Sequence, residues 1–238
     1  MKYNYDQYIA MSIPELIDKL KEGYILAVPN GVSHFKHLFS QVEQRQNEHD
    51  NIKYLYASMI FQDNKKKSIE ALKELIEREH EPSMHIYAML LLRGEHIEAD
   101  REKGLALLEK SSDLGYAIST YALSLVYFNG DFNFEKSLHK AFNYAEKSAS
   151  QGNNLGYFQM GRICMNRENT KESLKEAITY FEKADIAKYH KKHKDVIVLA
   201  YRRLANAYLN GELGLEKNEA LAKKYNDKAD GIFKSMCD

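Results

Sequence analysis

The side chains of this chain that could do chemistry are its nine histidines, its two cysteines and a few arginines among many aromatics. Their spacing decides what is open to them. His80-Glu81 with His85 approaches the two-histidine pattern of zinc proteases, but the second histidine stands one residue too far along and Pro82 interrupts the helix. His190 with His193, and His34 with His37, are spaced to share a helix face. Neither pair has a nearby cysteine or a carboxylate set to complete a metal site, so no metal ligand is assigned. There is no phosphate-cradling glycine loop, no nucleophile elbow and no paired-cysteine motif. No serine is identified with an activating base. The expectation is a chain without catalytic residues and without a cofactor. What remains is non-covalent chemistry: arginines such as Arg162 and Arg202, aromatics such as Tyr121, Phe128 and Phe158, and recurring asparagines.

These residues sit on a repeat. Four segments align, SMHIYAMLLLRG from Ser83, STYALSLVYFNG from Ser119, GYFQMGRICMNR from Gly156 and AYRRLANAYLNG from Ala200. In each, a large apolar residue (Tyr87, Leu123, Met160, Leu204) is followed by a small one (Ala88, Ser124, Gly161, Ala205). Leu91, Tyr127, Cys164 or Tyr208 comes three positions later. That spacing gathers the large residues on one helix face and lets a neighbouring helix approach at the small one. Gly94, Gly130 and Gly211 stop three of these helices, because glycine takes the left-handed conformation at a helix end without penalty. Arg167 breaks the pattern.

A second helix follows in each copy. Gly104, Ala141, Ala177 and Ala222 lead, three residues on, to Leu107, Tyr144, Tyr180 and Tyr225, with Lys110, Lys147, Lys183 and Lys228 in register. The combination of small residue, tyrosine, asparagine-glycine and a second helix ending near lysine-alanine resembles the Sel-1-like repeat, a longer relative of the tetratricopeptide repeat. The resemblance covers residues 83–236 well and 51–80 loosely, through Ile69, Leu72, Leu75 and Ile76. It implies an all-α fold, a right-handed α-α superhelix, with one degenerate and about four recognisable repeats over 51–236.

Composition agrees with a helical globular chain: 238 residues, 44% hydrophobic, 29% charged and only three prolines. Equal numbers of Lys+Arg and Asp+Glu, 34 each, argue against a nucleic-acid partner or an anionic membrane held by net charge. Nowhere do 18 or more apolar residues run together, and the N-terminus carries no apolar stretch of signal-peptide length. A cytoplasmic protein without membrane insertion is therefore expected. Cys164 replaces a repeat tyrosine and reads as a buried thiol, with Cys237 in a fraying tail. No disulfide framework is expected, unlike the cysteine-rich secreted branch of the family.

Residues 1–50 differ in kind and read as a helical N-terminal cap. Ser12 with Glu15 resembles a capping box ahead of Leu16, Ile17 and Leu20, Gly23 is a stop, and Pro29-Asn30-Gly31 is a turn. A further helix is predicted from His34 to about Gln46. The segment Pro14-Glu15-Leu16-Ile17 with Leu20 alternatively suits a docking helix.

In tetratricopeptide-like stacks the first helices line a concave groove. The resemblance therefore places there the columns His85, Tyr121, Phe158 and Arg202; Met89, Leu125, Arg162 and Asn206; Leu92, Phe128, Met165 and Leu209; and Arg93, Asn129, Asn166 and Asn210. Aromatic, methionine and arginine side chains are the usual anchors of protein interfaces. The partner-binding residues expected are Tyr121, Phe128, Phe158, Arg162, Arg202 and Asn206. Tyr121 and Phe128 at helical spacing suit a core as well as a groove. Asn129, Asn166 and Asn210 suit helix termination as well as a grip on a peptide. The stretch KYHKKHK, Lys188–Lys194, is an insertion that either lengthens a helix or forms a basic loop.

The function these features point to is a non-enzymatic adaptor or scaffold binding a protein or peptide in its groove. Repeats of this family are common in bacteria, which adds two alternatives. One is a secreted effector, translocated to a host cell and engaging a host protein. The other, by analogy with cysteine-rich relatives, is a hydrolase of the β-lactam-binding kind.

Overall fold

A computed structural model describes residues 42–44, 46–47, 49–167, 170–184 and 191–235, with the side chains of 191 and 192 set aside. The capping segment assigned to residues 1–50, including Pro14 to Leu20, lies almost wholly outside the described residues, as do His34, His37, His190 and Cys237. Every regular element among the described residues is helical. Ten α-helices lie whole within the described residues: α1 Asp50–Ile60, α2 Lys65–Glu77, α3 Glu81–Arg93, α4 Arg101–Asp113, α5 Ala117–Asn129, α6 Leu138–Ser150, α7 Asn154–Asn166, α8 Lys171–Lys183, α9 Lys191–Asn210 and α10 Glu219–Lys234. One turn of 3-10 helix, Asp131–Asn133, follows α5. By its internal packing the chain forms two compact units, the first ending at Leu114 and the second beginning at Gly115. Within each, consecutive helices pack on one another.

Local chemistry explains the helix ends. Gly94, Gly130 and Gly211 take positive φ, at 67°, 76° and 70°. The chain then turns, and the residue that caps the next helix donates its N–H back to the first helix. Asp100 reaches the carbonyl of Leu91 (3.1 Å), Ser137 that of Tyr127 (2.8 Å) and Asn218 that of Tyr208 (2.9 Å). The same three residues accept with their side chains from Lys103, Lys140 and Leu221, satisfying a first-turn N–H that has no partner within its helix. One loop geometry thus serves three copies.

Copy three departs, as its missing glycine predicts. Arg167 leaves α7 extended, at φ −75° and ψ −165°. Helix α8 begins earlier relative to its small residue Ala177, and Thr170 caps it through a capping box with Ser173. Without a left-handed stop, the space of the loop is taken by nearly a turn of extra helix.

The small residues sit where a neighbouring helix comes close. A Cβ on Gly161 would stand 2.5 Å from the ring of Phe181, and one on Gly104 would stand 2.8 Å from Cγ of Leu92. Where serine takes such places it bonds to backbone. Ser68 Oγ donates to the carbonyl of Ala57 (2.6 Å), Ser111 to Glu81 (3.0 Å), Ser124 to Ala141 (2.7 Å) and Ser148 to Ala117 (2.9 Å). Each hydroxyl is thereby buried without an unmet donor.

The first unit packs Ile69, Leu72, Tyr87, Leu90 and Leu91 around Ala57 and Ala71. In the second unit, Tyr127, Phe128, Ala141, Ala145, Met160 and Ile163 join α5, α6 and α7. Phe158, Leu174, Phe181, Tyr201 and Leu204 belong to a core that runs on through α9. Three of the register lysines lie over aromatics or beside carboxylates: Lys110 is 2.9 Å from Glu79, Lys183 is 5.9 Å and 5.7 Å from the ring centres of Tyr157 and Tyr180, and Lys228 bonds Glu182 at 2.6 Å. Lys191–Lys194, the end of the basic insertion, forms the first turn of the 20-residue α9. The insertion therefore lengthens a helix there.

Candidate functional site

Three of the residues expected in the groove come together in the second unit. Arg162, on α7, lies with its guanidinium carbon 4.7 Å from the centre of the Phe128 ring on α5. One turn back on its own helix, Gln159 accepts from Arg162 Nη1 at 2.8 Å. Tyr121, two turns before Phe128 on α5, is half-buried. Burial raises its pKa, and the charge of Arg162 pulls in the opposite direction. The hydroxyl is therefore neutral at physiological pH and remains a donor.

Phe128 is 7% exposed, so it serves the core with one part of its surface and carries the arginine on another. Lys136 also stands near this ring, its Nζ 5.8 Å from the centre. Among the described residues, neither Arg162 nor Lys136 has a carboxylate within ion-pair distance. Gln159 is fully buried, and its Nε2 has no acceptor among the described residues. The other first helices carry Ile86, Ala122 and Arg203 at that position. A polar residue among mostly apolar counterparts is the mark that Gln159 leaves in the sequence.

The remaining expected residues lie elsewhere. Phe158 is 1% exposed and packs against Phe181 (5.5 Å between ring centres) and His193 (4.8 Å); its place is in the interior. Arg202 turns to α10, with Nη2 3.4 Å from Asp230 and its guanidinium 5.6 Å from the centre of Phe233. It shares an exposed stripe of α9 with Leu199, Asn206 and Leu209, the leucines being 52% and 48% exposed. The recurring asparagines act at helix ends: Asn129 Nδ2 donates to Asp131 (2.9 Å), Asn210 Nδ2 to Glu212 (3.0 Å) and Asn166 Nδ2 to the carbonyl of Arg162 (3.0 Å).

The nucleophile and metal candidates are placed as structural groups. Cys164 is buried, and its pKa is pushed up to about 12 by that burial and then by the charge of Glu176. The His80 ring bonds the Ser83 hydroxyl (2.8 Å) and the Asn51 carbonyl oxygen (3.0 Å). Among the described residues no group of three or more His, Cys, Asp or Glu is arranged to hold a metal. None of the described helices is long and apolar enough to cross a membrane.

A family model described as Sel1 repeat matches residues 82–116, 117–153, 154–184 and 198–229, more than half of the chain. The chain belongs to the Sel1 repeat family. The Sel1 repeats coincide with the helix pairs α3–α4, α5–α6 and α7–α8, and with most of α9 together with most of α10. A Sel1 repeat protein from Oxalobacter formigenes is similar in structure, with a TM-score of 0.64 at 15% identity over 94% of this chain and 92% of that one. So is c5321, a protective antigen of uropathogenic Escherichia coli strains displaying an SLR fold, with a TM-score of 0.57 at 21% identity over 82% of this chain. The match spans 40% of the c5321 chain. At these identities the likeness is one of fold. None of the curated proteins compared with the sequence matches it. The Sel1 repeat is a helical solenoid of the protein-interaction type.

Proposed function

We propose that this Sel1 repeat chain is a non-catalytic adaptor that seats a segment of a partner protein on the first-helix face of its second unit. The observation that carries the reading is Arg162, a guanidinium held in place by Phe128 and Gln159 yet not neutralised by any described carboxylate. A free arginine side chain has about 2 kcal/mol of rotamer entropy to lose on binding. Stacking on a ring and a hydrogen bond to a buried amide restrict it beforehand, so less remains to be lost when a partner docks. The rest of the repeat supplies rigidity: glycine stops, capped second helices and serine-to-carbonyl bonds fix where α5 and α7 present their side chains.

The test is affinity capture from a native lysate with the unaltered chain and with Arg162→Met, a substitution that keeps an unbranched stem and removes the charge. A protein retained by the first and lost by the second, with both melting at the same temperature, supports the reading. A partner retained equally by both and mapped to another surface removes it. Turnover abolished by a single substitution in a folded chain would remove the non-catalytic part.

A further inference from the structure

The proposed binding face also indicates what chemistry its occupant carries. Around Phe128 the chain sets out donors and positive charge. Arg162 offers a planar fork of N–H groups, of which one interaction, with Gln159, is spent. Lys136 adds a second cation at the same ring. Tyr121, seven residues before Phe128 and on the same face of α5, is near enough for the charge of Arg162 to act on its hydroxyl. Gln159 has committed its carbonyl oxygen to Arg162, leaving an amide donor with nothing to give to. The nearest carboxylate along the chain after α5, Asp131, is held by Asn129. Arg167, one turn beyond, differs from Arg162 in being paired, 3.8 Å from Glu176.

Packing does not require this arrangement. Ala122 fills the counterpart of Gln159 in α5, and Leu125 fills the counterpart of Arg162. A cluster whose uncommitted groups are two cations, an amide donor and a hydroxyl able to donate is completed by a group that accepts and is negative, and an ionised carboxylate is such a group. The chain's formal net charge is zero, so the attraction is local to this face and not a property of the whole molecule. Leu125 and Met165, on the same two helices, are partly buried.

We infer that the occupant of this face is an acidic peptide segment, whose Asp or Glu carboxylate is received by the fork of Arg162 beside Lys136 and Tyr121. The inference rests on the adaptor reading above and adds the chemical class of the partner. Arginine suits the task because its fork meets a carboxylate with two parallel hydrogen bonds, whereas a lysine at the same place supplies only a point charge.

The experiment pans a displayed library of random short peptides against the full chain, then resynthesises the selected peptides with Asp→Asn and Glu→Gln. Binding is measured for the unaltered chain, Arg162→Met, Arg162→Lys and Lys136→Met, each checked by thermal melting. The expected result is enrichment of Asp or Glu at one peptide position, with neutralisation there weakening binding to the unaltered chain by about 10-fold or more. The same neutralisation should change nothing for Arg162→Met, and Arg162→Lys should fall between. If Arg162→Met does not fold, the Lys136→Met chain decides, through a smaller penalty for neutralisation and a shallower loss of affinity with added salt. Peptides that bind through Tyr121 and Arg162 but carry no preferred acid, or that need a phosphate in its place, would overturn the acidic occupant and leave the adaptor face standing. Peptides that bind elsewhere, or no selected peptides at all, would overturn both.

Discussion

Gly156 lies so close to Ala145 that a Cβ built on the glycine would stand 2.5 Å from the alanine carbonyl oxygen. The backbone nitrogen of Ala149 is equally near. Helices α6 and α7 therefore touch backbone to backbone, and neither obstructing atom can move without moving a helix.

Gly156→Ala should accordingly destabilise the chain strongly. A methyl in an exposed helix would gain about 1 kcal/mol over glycine, but overpacking costs about 1 to 3 kcal/mol where side chains can yield, and here the neighbours are backbone. Gly161→Ala meets the ring of Phe181 instead and should cost less. Thermal melts of the two variants check this. Equal melting temperatures would mean that the close approach at Gly156 relaxes freely.

Gln159→Met should weaken the binding face at little cost to the fold. It removes a buried donor without an acceptor, whose burial costs about 1 to 3 kcal/mol, together with a bond to the charged Arg162 worth a similar amount. A change of less than about 1 kcal/mol in denaturant unfolding is expected, with reduced affinity for the selected peptides. A larger loss of stability would show that the amide is satisfied in solution.

The first unit should be sensitive to mild acid. Burial, with the charge of Arg93 adding to it, lowers the pKa of His85 to about 4, and burial lowers that of His80 as well. An unfolded histidine takes its proton near pH 6.5, so below that value the unfolded chain binds more protons than the folded one. Stability present in full above pH 6.5 is therefore lost as pH falls towards 4. The His85 contribution is at most about 3 kcal/mol. His85→Gln should flatten the fall measured by urea unfolding between these limits, leaving the part due to His80.

Cys164 should be inert in the folded chain. A thiol held at a pKa of about 12 is almost wholly protonated at pH 8, and its side chain is enclosed. In a Cys237→Ser background, a chromogenic disulfide reagent should react only as the protein unfolds. Rapid labelling of the native form would show that α7 opens.

What the sequence disclosed was whatever recurs within a helix. The glycine stops, the small residues at Ser124 and Gly161, the burial of Cys164 and the oddity of Arg167 all follow from spacings within a turn or two. Phe158 was harder, because what encloses it is Phe181 and His193 on two other helices. Arg202 likewise turned to Asp230, 28 residues on. Whether an aromatic or arginine faces a groove or a neighbour is set by the next repeats, which one helix's periodicity does not contain. Gln159 illustrates the converse: a single polar departure, small in the pattern, marks the place where the face differs from its copies.

The buried serines have an evolutionary consequence. Each spans from one helix to the main chain of another, and a peptide carbonyl is present whatever amino acid bears it. A tie that reads main chain exerts no selection on the identity of the residue opposite. Substitutions at the partly exposed Glu81 and Ala117 therefore leave these bonds intact, while Ala57 and Ala141 stay small because they are fully buried, so the paired helices can drift in sequence on their exposed positions while their alignment in space is kept.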